Sequence, residues 1–215
     1  MMILGIDEAG RGPVIGPLVI AGTMTDENDL EKLKELGVRD SKLVLPKKRA
    51  ELFKKLKKIT VSHTIVINPK EIDEAVESAN LNLNWLEAIK AAEIINIMNP
   101  DKVILDCPSP NLKAYERYLR KHLQNKEIPI ICEHKADLNY VIVGAASILA
   151  KETREIILEK MKKEYGDFGP GYSSNAITQK YTEENFEKYP EIFRKSWATW
   201  KNQENNKKQK KLNEF

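Results

Sequence analysis

An alternation of strand, helix and strand in the middle of the chain is the feature that most limits its possible folds. The apolar run Lys102–Asp106 is followed by a helical pattern over 112–123 and by a second apolar run at 128–132. Consecutive strands joined by a helix pair in parallel within one sheet. The chain is therefore expected to contain a parallel βαβ unit.

Three further strands are predicted before this unit. Apolar residues fill 2–6 and 18–24, with a Gly- and Pro-rich connection between them, and β-branched residues fill Val61–Ile67. Short apolar runs bounded by turn residues are typical of strands. The opening is expected to form a three-stranded meander interrupted by helices, which gives an α/β fold with a central mixed five-stranded sheet.

Helical periodicity accounts for most of the remaining chain. One helix opens at Pro46, and another places the apolar residues of 83–97 on one face. A long helix is predicted over Val141–Tyr165, buried at its apolar start and exposed at its amphipathic end. From Gly166 the chain is rich in Gly, Pro and Ser for ten residues, and it is then predicted to be helical through about Lys201.

Composition indicates a folded protein whose basic charge is concentrated at one end. The 215 residues are 41% hydrophobic and 31% charged, a balance typical of globular domains. The net charge is +3, but residues 194–215 carry +5, which leaves −2 for residues 1–193. Two cysteines and the lack of a signal-peptide pattern or an apolar run of about 20 residues favour a cytoplasmic protein.

Acidic residues follow three of the predicted strands. Asp7 and Glu8 close the first strand, Asp106 closes the fourth, and Asp137 is expected in the loop after the fifth. Side chains at the carboxyl ends of neighbouring strands gather at one sheet edge, where four acids repel one another unless a cation binds. Oxygen ligands favour Mg²⁺ or Mn²⁺, and such a site suits phosphoryl chemistry. The pattern alone leaves open that each acid caps a helix or faces water.

Five motifs occur in the order found in one family of nucleases. They are DEAGRGP at 7–13, DSK at 40–42, HKAD at 134–137, AASILAK at 145–151 and GPGY at 169–172. Together they resemble the motif series of the type 2 ribonucleases H, ribonuclease HII, over nearly the whole chain up to Trp197. The tail and helical end are more similar to archaeal members.

The resemblance implies a ribonuclease H-like fold with a helical C-terminal segment. It implies an endonuclease that cuts the RNA strand of RNA/DNA hybrids and nicks 5′ to single ribonucleotides in duplex DNA, leaving 5′-phosphate and 3′-hydroxyl ends. Such activity serves ribonucleotide excision repair and RNA primer removal. The resemblance assigns two metal ions, Mg²⁺ or Mn²⁺, to Asp7, Glu8, Asp106 and Asp137.

The resemblance also assigns residues that contact the substrate. Gly10, Arg11, Gly12 and Tyr172 match the residues that read the ribonucleotide at an RNA–DNA junction. Phosphate or substrate contacts are expected of Lys42, Ser147 and Lys151. Each of these residues taken alone has a plainer interpretation, namely an ordinary turn, a surface cation, a helix hydroxyl or a packed aromatic ring.

Two positions depart from the family pattern. Ser173-Ser174-Asn175 stands where Pro-Ser-Asp is usual, and Arg154-Glu155 stands where Arg-Asp is usual. The first change is expected to loosen the turn that carries Tyr172. Neither change removes an expected metal ligand.

The expected organisation has three parts: a catalytic domain over 1–165, a helical substrate-binding segment over 166–201, and a flexible basic tail over 202–215. In the tail, Gln209, Leu212 and Phe215 resemble the Q-x-x-L-x-x-F peptide that docks on sliding clamps. A solvated tail that weakly attracts nucleic acid is the alternative. The protein is expected to be a monomer.

Two other functions compete with this interpretation at the level of sequence. The first is a related metal nuclease on the same fold that prefers long hybrids or DNA junctions. The second is a clamp-tethered nucleic-acid-binding module whose acidic residues only cap helices.

Overall fold

The structure, a computed structural model, describes residues 1–38 and 45–212, without the side chains of 208 and 210–212. Lys42 and Phe215 lie outside the described residues, as does the side chain of Leu212. The expectations for these three positions therefore remain predictions.

Five strands form one mixed sheet in the order β3-β2-β1-β4-β5. They are β1 (Met2–Ala9), β2 (Leu18–Asp26), β3 (Val61–Ile67), β4 (Lys102–Asp106) and β5 (Ile130–Glu133). Strand β1 pairs antiparallel with β2 and parallel with β4, and β4 pairs parallel with β5. The predicted mixed five-stranded sheet and its βαβ unit are confirmed.

Helices occupy most of the remaining described chain. They are α1 (Leu30–Glu35), α2 (Pro46–Ile59), α3 (Pro69–Glu77), α4 (Leu83–Met98), α5 (Leu112–Lys121), α6 (Ala136–Asn139), α7 (Val141–Tyr165), α8 (Ala176–Asn185) and α9 (Ala198–Leu212). Short 3₁₀ turns lie at Glu27–Asp29 and Pro190–Ile192. Helices α1 and α6 were not predicted, because six and four residues carry too little periodicity to be recognised. None of the described helices is long and apolar enough to cross a membrane.

The chain divides into two compact units. The first comprises Met1–Ala9, Val19–Val66 and Leu83–Arg154, and the second comprises Gly10–Leu18, Ile67–Asn82 and Glu155–Phe215. Most of the sheet belongs to the first unit. The second unit has its own apolar core, built from Val14, Ile15, Leu158, Phe168, Tyr181, Ile192, Phe193 and Trp200.

A glycine in β1 lets the long helix α7 approach the sheet closely. A Cβ on Gly5 would overlap the carbonyl group of Ile142 at the start of α7. Since side chains alternate along a strand, Asp7 lies on the same face of β1 as Gly5. The sequence thus directs Asp7 toward α7, whose first half is buried as predicted.

The C-terminal helix extends further than expected. The sequence predicted helix through about Lys201 and a flexible tail beyond it, whereas α9 continues to Leu212. Residues 202–212 are Asn, Gln, Glu, Lys and Leu, with no Gly or Pro to interrupt a helix. Lys207 also forms an ion pair with Glu187 after α8.

Candidate active site

Three acidic side chains meet within the first unit. One carboxylate oxygen from each of Asp7, Asp106 and Asp137 lies within 4.8 Å of the other two. Asp7 is near the end of β1, Asp106 is the last residue of β4, and parallel neighbouring strands end at the same edge of a sheet. This juxtaposition is the one that the acidic residues at strand ends predicted.

Asp137 reaches this group from the short helix α6. The sequence had suggested a loop at this position. The preceding residue Lys135 adopts a left-handed conformation with φ 58° and ψ 37°, which turns the chain sharply after β5. That conformation costs a non-glycine residue about 1 kcal/mol. The Ala136 N–H then donates to Asp106 Oδ1 at 3.3 Å, which links the start of α6 to the second acid.

Two hydrogen bonds to Glu133 hold α6 in place. The Tyr140 hydroxyl donates to Glu133 Oε2 at 3.0 Å, and the Asn139 side-chain amide donates to Glu133 Oε1. Because Glu133 is the last residue of β5, these bonds fix the C-terminal end of α6 to the sheet. The position of Asp137 therefore depends on the hydrogen bonds that Asn139 and Tyr140 make to Glu133.

At least one carboxylate oxygen of the acidic group is buried without a hydrogen-bond partner among the described residues. Among the described residues, the buried Asp137 Oδ1 has no hydrogen-bond partner. Burial raises the pKa of Asp7 to about 7, and the Asp106 charge adds to this rise, while hydrogen bonds from Ser147 and from the Glu8 N–H oppose it. A buried oxygen without a partner beside two other carboxylates fits a hard divalent cation, which prefers oxygen ligands.

Glu8 is not a member of this three-carboxylate group. Successive side chains on a strand point to opposite faces, so Glu8 is directed away from Asp7. Its charge instead contributes to the environment of Cys107, whose pKa is raised to about 11 mainly by burial. The role expected of Glu8 remains a prediction, whereas convergence is seen for the other three acids.

Helix α7 contributes a hydroxyl to the acidic group and carries a cation on the same helix face. Ser147 is wholly buried, and its hydroxyl bonds to the Asp7 carboxylate. Lys151 follows four residues later, so it lies on the same face of the helix, and it is half-buried. Ser147 therefore orients an acid, and Lys151 supplies positive charge along the same face.

The first unit also contains His134, from the HKAD motif, and both cysteines. His134 Nδ1 lies 3.0 Å from the Cys107 carbonyl oxygen. Since a carbonyl only accepts, Nδ1 carries the proton and Nε2 is left as the acceptor in the neutral ring. Burial raises the pKa of Cys107 and of Cys132, so neither thiol is ionised near neutral pH.

The second unit brings together the Gly10-Arg11-Gly12 loop and Tyr172. The Tyr172 ring lies 3.7 Å from the position that a Cβ on Gly12 would occupy, and the ring is 42% exposed. The Gly171 carbonyl accepts hydrogen bonds from the Val14 and Ile15 N–H groups at 2.8 and 3.2 Å. Gly10 has φ 88°, which a residue with a side chain rarely adopts. The loop and the aromatic ring thus form one local surface.

The turn after Tyr172 is well held despite its departure from the family pattern. The Asn175 side chain accepts from the Ile177 and Thr178 N–H groups and so caps α8. The Asn175 N–H donates to the Tyr172 carbonyl at 3.0 Å, and Gln179 donates to the Ser173 carbonyl at 2.8 Å. Asn is as good an N-cap as the usual Asp, so the cap of α8 is kept despite this change.

Sequence reasoning missed two residues of the second unit. Arg194 was counted in the basic C-terminal charge, but it is wholly buried and donates to carbonyls of the 10–16 loop. Trp197 donates to the Gly12 carbonyl at 3.1 Å. A lone Arg in a charged stretch has no recognisable spacing, so nothing in the sequence separated it from the solvated lysines nearby.

The fold and the acidic group define a class of protein. A mixed five-stranded sheet flanked by helices, with carboxylates gathered at the ends of two parallel strands, is a ribonuclease H-like nuclease fold. The family model described as Ribonuclease HII matches residues 4–200. The chain belongs to the ribonuclease HII family, and it is a nuclease of the hydrolase class.

Individual relatives agree with this assignment over almost the whole chain. A ribonuclease HII of Methanococcus maripaludis strain C5 is 46% identical over 207 residues, covering 94% of this chain and 86% of that protein. The crystal structure of ribonuclease H2 from Pyrococcus horikoshii OT3 is 41% identical with a TM-score of 0.87, covering 96% of this chain and 98% of that one. The PCNA:RNase HII complex from Archaeoglobus fulgidus gives a match with 36% identity and a TM-score of 0.84, covering 92% and 96%. Family membership supports endoribonuclease activity on RNA/DNA hybrids.

Proposed function

We propose that this protein hydrolyses the RNA strand of RNA/DNA hybrids and also nicks duplex DNA 5′ to a single embedded ribonucleotide. The observation that carries the proposal is the group formed by Asp7, Asp106 and Asp137, in which the buried Asp137 Oδ1 has no hydrogen-bond partner among the described residues. Such a group is stable with a divalent cation and costly without one. It suits metal-assisted cleavage of a phosphodiester.

Mg²⁺ or Mn²⁺ would be held by these three acids, with Glu8 as a further ligand expected from the family resemblance. When bound, two such ions would lower the pKa of a water and stabilise the leaving 3′ oxygen, which would give 5′-phosphate and 3′-hydroxyl ends. Ser147 orients the Asp7 carboxylate for this task, and α6 delivers Asp137. We assign attraction of substrate phosphate to Lys151, which is half-buried on α7, and to Lys42.

Selection of RNA requires contact with the 2′-hydroxyl, the group that distinguishes ribose from deoxyribose. We assign this contact to the Gly10-Arg11-Gly12 loop, where the glycines let backbone groups approach a sugar closely. The exposed ring of Tyr172 beside Gly12 would stack on the following deoxyribose and clash with a second 2′-hydroxyl there. The RNA–DNA junction would then be the recognised feature.

The C-terminal parts are assigned to binding. Residues 166–201 are proposed as the segment that binds the duplex, and residues 1–165 as the catalytic part. The Archaeoglobus fulgidus relative was solved as a complex with PCNA, and we assign a similar role to Gln209, Leu212 and Phe215 of this chain. The α9 helix carries the first two of these residues, and Gln209 is exposed.

The experiment compares three duplexes of one sequence: all DNA, DNA with a single ribonucleotide, and an RNA/DNA hybrid. With Mg²⁺ or Mn²⁺, the expected products are a nick 5′ to the single ribonucleotide and multiple cuts in the hybrid, with no cut in the all-DNA duplex. End-labelling of both strands maps the cut to one phosphate. Cleavage of the hybrid alone would remove the single-ribonucleotide activity from the proposal, and cleavage of all-DNA duplex would favour another nuclease specificity.

A further inference from the structure

Arg194 is a fully buried cation that the proposed reaction leaves without a role. Its guanidinium donates to main-chain carbonyl oxygens of a single loop: to Gly10 at 2.5 Å, to Arg11 at 2.8 Å, and to Gly16 at 3.0 and 3.1 Å. Its own N–H donates to the Val14 carbonyl at 2.8 Å. Because Arg194 is 0% exposed, it cannot itself contact a substrate phosphate.

Trp197 extends the same set of contacts by one peptide. Its indole N–H donates to the Gly12 carbonyl at 3.1 Å, and its ring centre lies 4.9 Å from Arg194 Cζ, within cation–π range. The carbonyls of three consecutive residues, Gly10, Arg11 and Gly12, are therefore all directed at this Arg–Trp pair.

This arrangement determines where the amide groups of the loop point. In a planar trans peptide the C=O of one residue and the N–H of the next point in opposite directions. The N–H groups of Arg11 and Gly12 are therefore directed away from Arg194. Within the described residues the Gly12 N–H makes no hydrogen bond, so a donor is presented at the surface beside Tyr172.

We infer that Arg194 and Trp197 are positioning residues: they hold the Gly10, Arg11 and Gly12 carbonyls inward and so turn the Arg11 and Gly12 amides outward, where this segment can bind a ribose hydroxyl. The inference rests on the proposed function, which assigns 2′-hydroxyl recognition to this loop. Lysine cannot replace Arg194, because an ammonium lacks the planar fork that reaches several separated carbonyls at once. Trp197 adds the third carbonyl and holds the guanidinium by its ring face.

The test uses Arg194→Lys and Trp197→Phe, with Lys70→Met as the control that removes an exposed cation of α3 in the same unit, outside the proposed duplex-binding segment. For each protein, kcat and KM are measured on the single-ribonucleotide duplex, and Ki is measured for the all-DNA duplex as a competitor. Calorimetry measures the Mg²⁺ affinity of the acidic group, and thermal unfolding measures the stability of the fold.

We expect Arg194→Lys to lower kcat about 10²-fold, because misplacing a reacting group by about 1 Å has a cost of this size. The same variant should raise KM toward the Ki of the all-DNA duplex. Trp197→Phe loses one hydrogen bond and should lower kcat by roughly threefold to tenfold in the same direction. Mg²⁺ affinity should stay within about twofold of wild type, since magnesium is bound by the acids of the first unit. Lys70→Met should behave as wild type.

A folded Arg194→Lys protein with wild-type kcat and KM would overturn the inference, and so would equal losses in Mg²⁺ affinity and in kcat. If Arg194→Lys does not fold, Trp197→Phe decides, and an unchanged KM-to-Ki ratio there refutes the positioning role.

Amide hydrogen exchange separates this inference from the proposed function. Faster exchange at residues 10–16 in Arg194→Lys, with the rest of the protein unchanged, supports the positioning role even if wild type fails to nick the single-ribonucleotide duplex. That failure would refute the proposed function alone. Unchanged exchange in the loop would refute the role of Arg194 alone.

Discussion

At the scale of single residues, the chemistry depends on the protonation of Asp7. Burial and the neighbouring Asp106 raise the pKa of Asp7 to about 7, from an ordinary value of 3.8. The folded protein therefore holds a proton between about pH 4 and pH 7 that the unfolded chain has lost. The contribution of Asp7 to stability falls as pH rises through this window, and it is lowest above pH 7 when no metal is bound.

Asp7→Asn should therefore stabilise the metal-free protein. The gain should be smallest near pH 4, grow as pH rises to about 7 and stay constant above, with a size on the order of a few kcal/mol at pH 8. Thermal unfolding in EDTA at several pH values measures it. A gain that is the same at every pH would contradict a raised pKa for Asp7. In saturating Mg²⁺ the wild-type protein should instead be more stable than Asp7→Asn.

The same protonation should make metal binding depend on pH. Below pH 7 a proton must leave Asp7 before Mg²⁺ can bind, so the affinity should fall by up to about tenfold for each pH unit between 7 and 5. Calorimetry in two buffers of different ionisation enthalpy measures both the affinity and the proton released. Affinity that is flat over this range, with no proton release, would contradict the account.

At the scale of elements, the strands and long helices were predictable and the short connecting helix at the site was not. The patterns of β1, β4 and α7 follow from apolar runs and periodicity, which are properties of neighbouring residues. Helix α6 has four residues and depends on the left-handed turn at Lys135 and on Glu133, contacts that no local pattern reveals. The sequence did predict that Asp137 and Asp7 lie close together at one edge of the sheet. It did not predict the helix that carries Asp137.

Tyr140→Phe tests the support of that helix. The substitution removes the hydroxyl that donates to Glu133 and should cost about 1 kcal/mol of stability. Looser placement of Asp137 should also weaken Mg²⁺ binding several-fold. Tyr118→Phe is the matched control, since among the described residues its hydroxyl makes no hydrogen bond while its ring stacks on Trp85 at 4.3 Å. Equal Mg²⁺ affinity in both variants would argue against a role for the Glu133 network.

At the scale of the whole molecule, the net charge of +3 is unevenly distributed along the chain. The C-terminal excess of +5 includes Arg194, which is buried, so the surface of this region is less basic than the sequence implied. Composition reveals such an excess but cannot tell a solvated cation from one that holds a loop. The family resemblance supplied what composition lacked, because its motifs identify the loop and Tyr172 directly.

Deleting residues 202–215 tests the division between catalysis and recruitment. None of the deleted side chains that the structure describes is buried, and Trp200, which packs in the core of the second unit, is retained. We expect kcat on the single-ribonucleotide duplex to change less than about twofold, since surface changes are usually small in effect. Stimulation by a sliding clamp should be lost. Stimulation that persists would place clamp binding elsewhere.

The most direct measurement of the central claim is the rate at which Asp137→Asn nicks the single-ribonucleotide duplex in Mg²⁺. Asp101→Asn, the same change at an exposed position, is the control. Since removing one group that stabilises the transition state costs about 10²- to 10³-fold, we expect a loss of at least this size for Asp137→Asn and none for Asp101→Asn, with duplex binding retained. Turnover by Asp137→Asn at the wild-type rate would contradict the assignment of the three-carboxylate group as the active site.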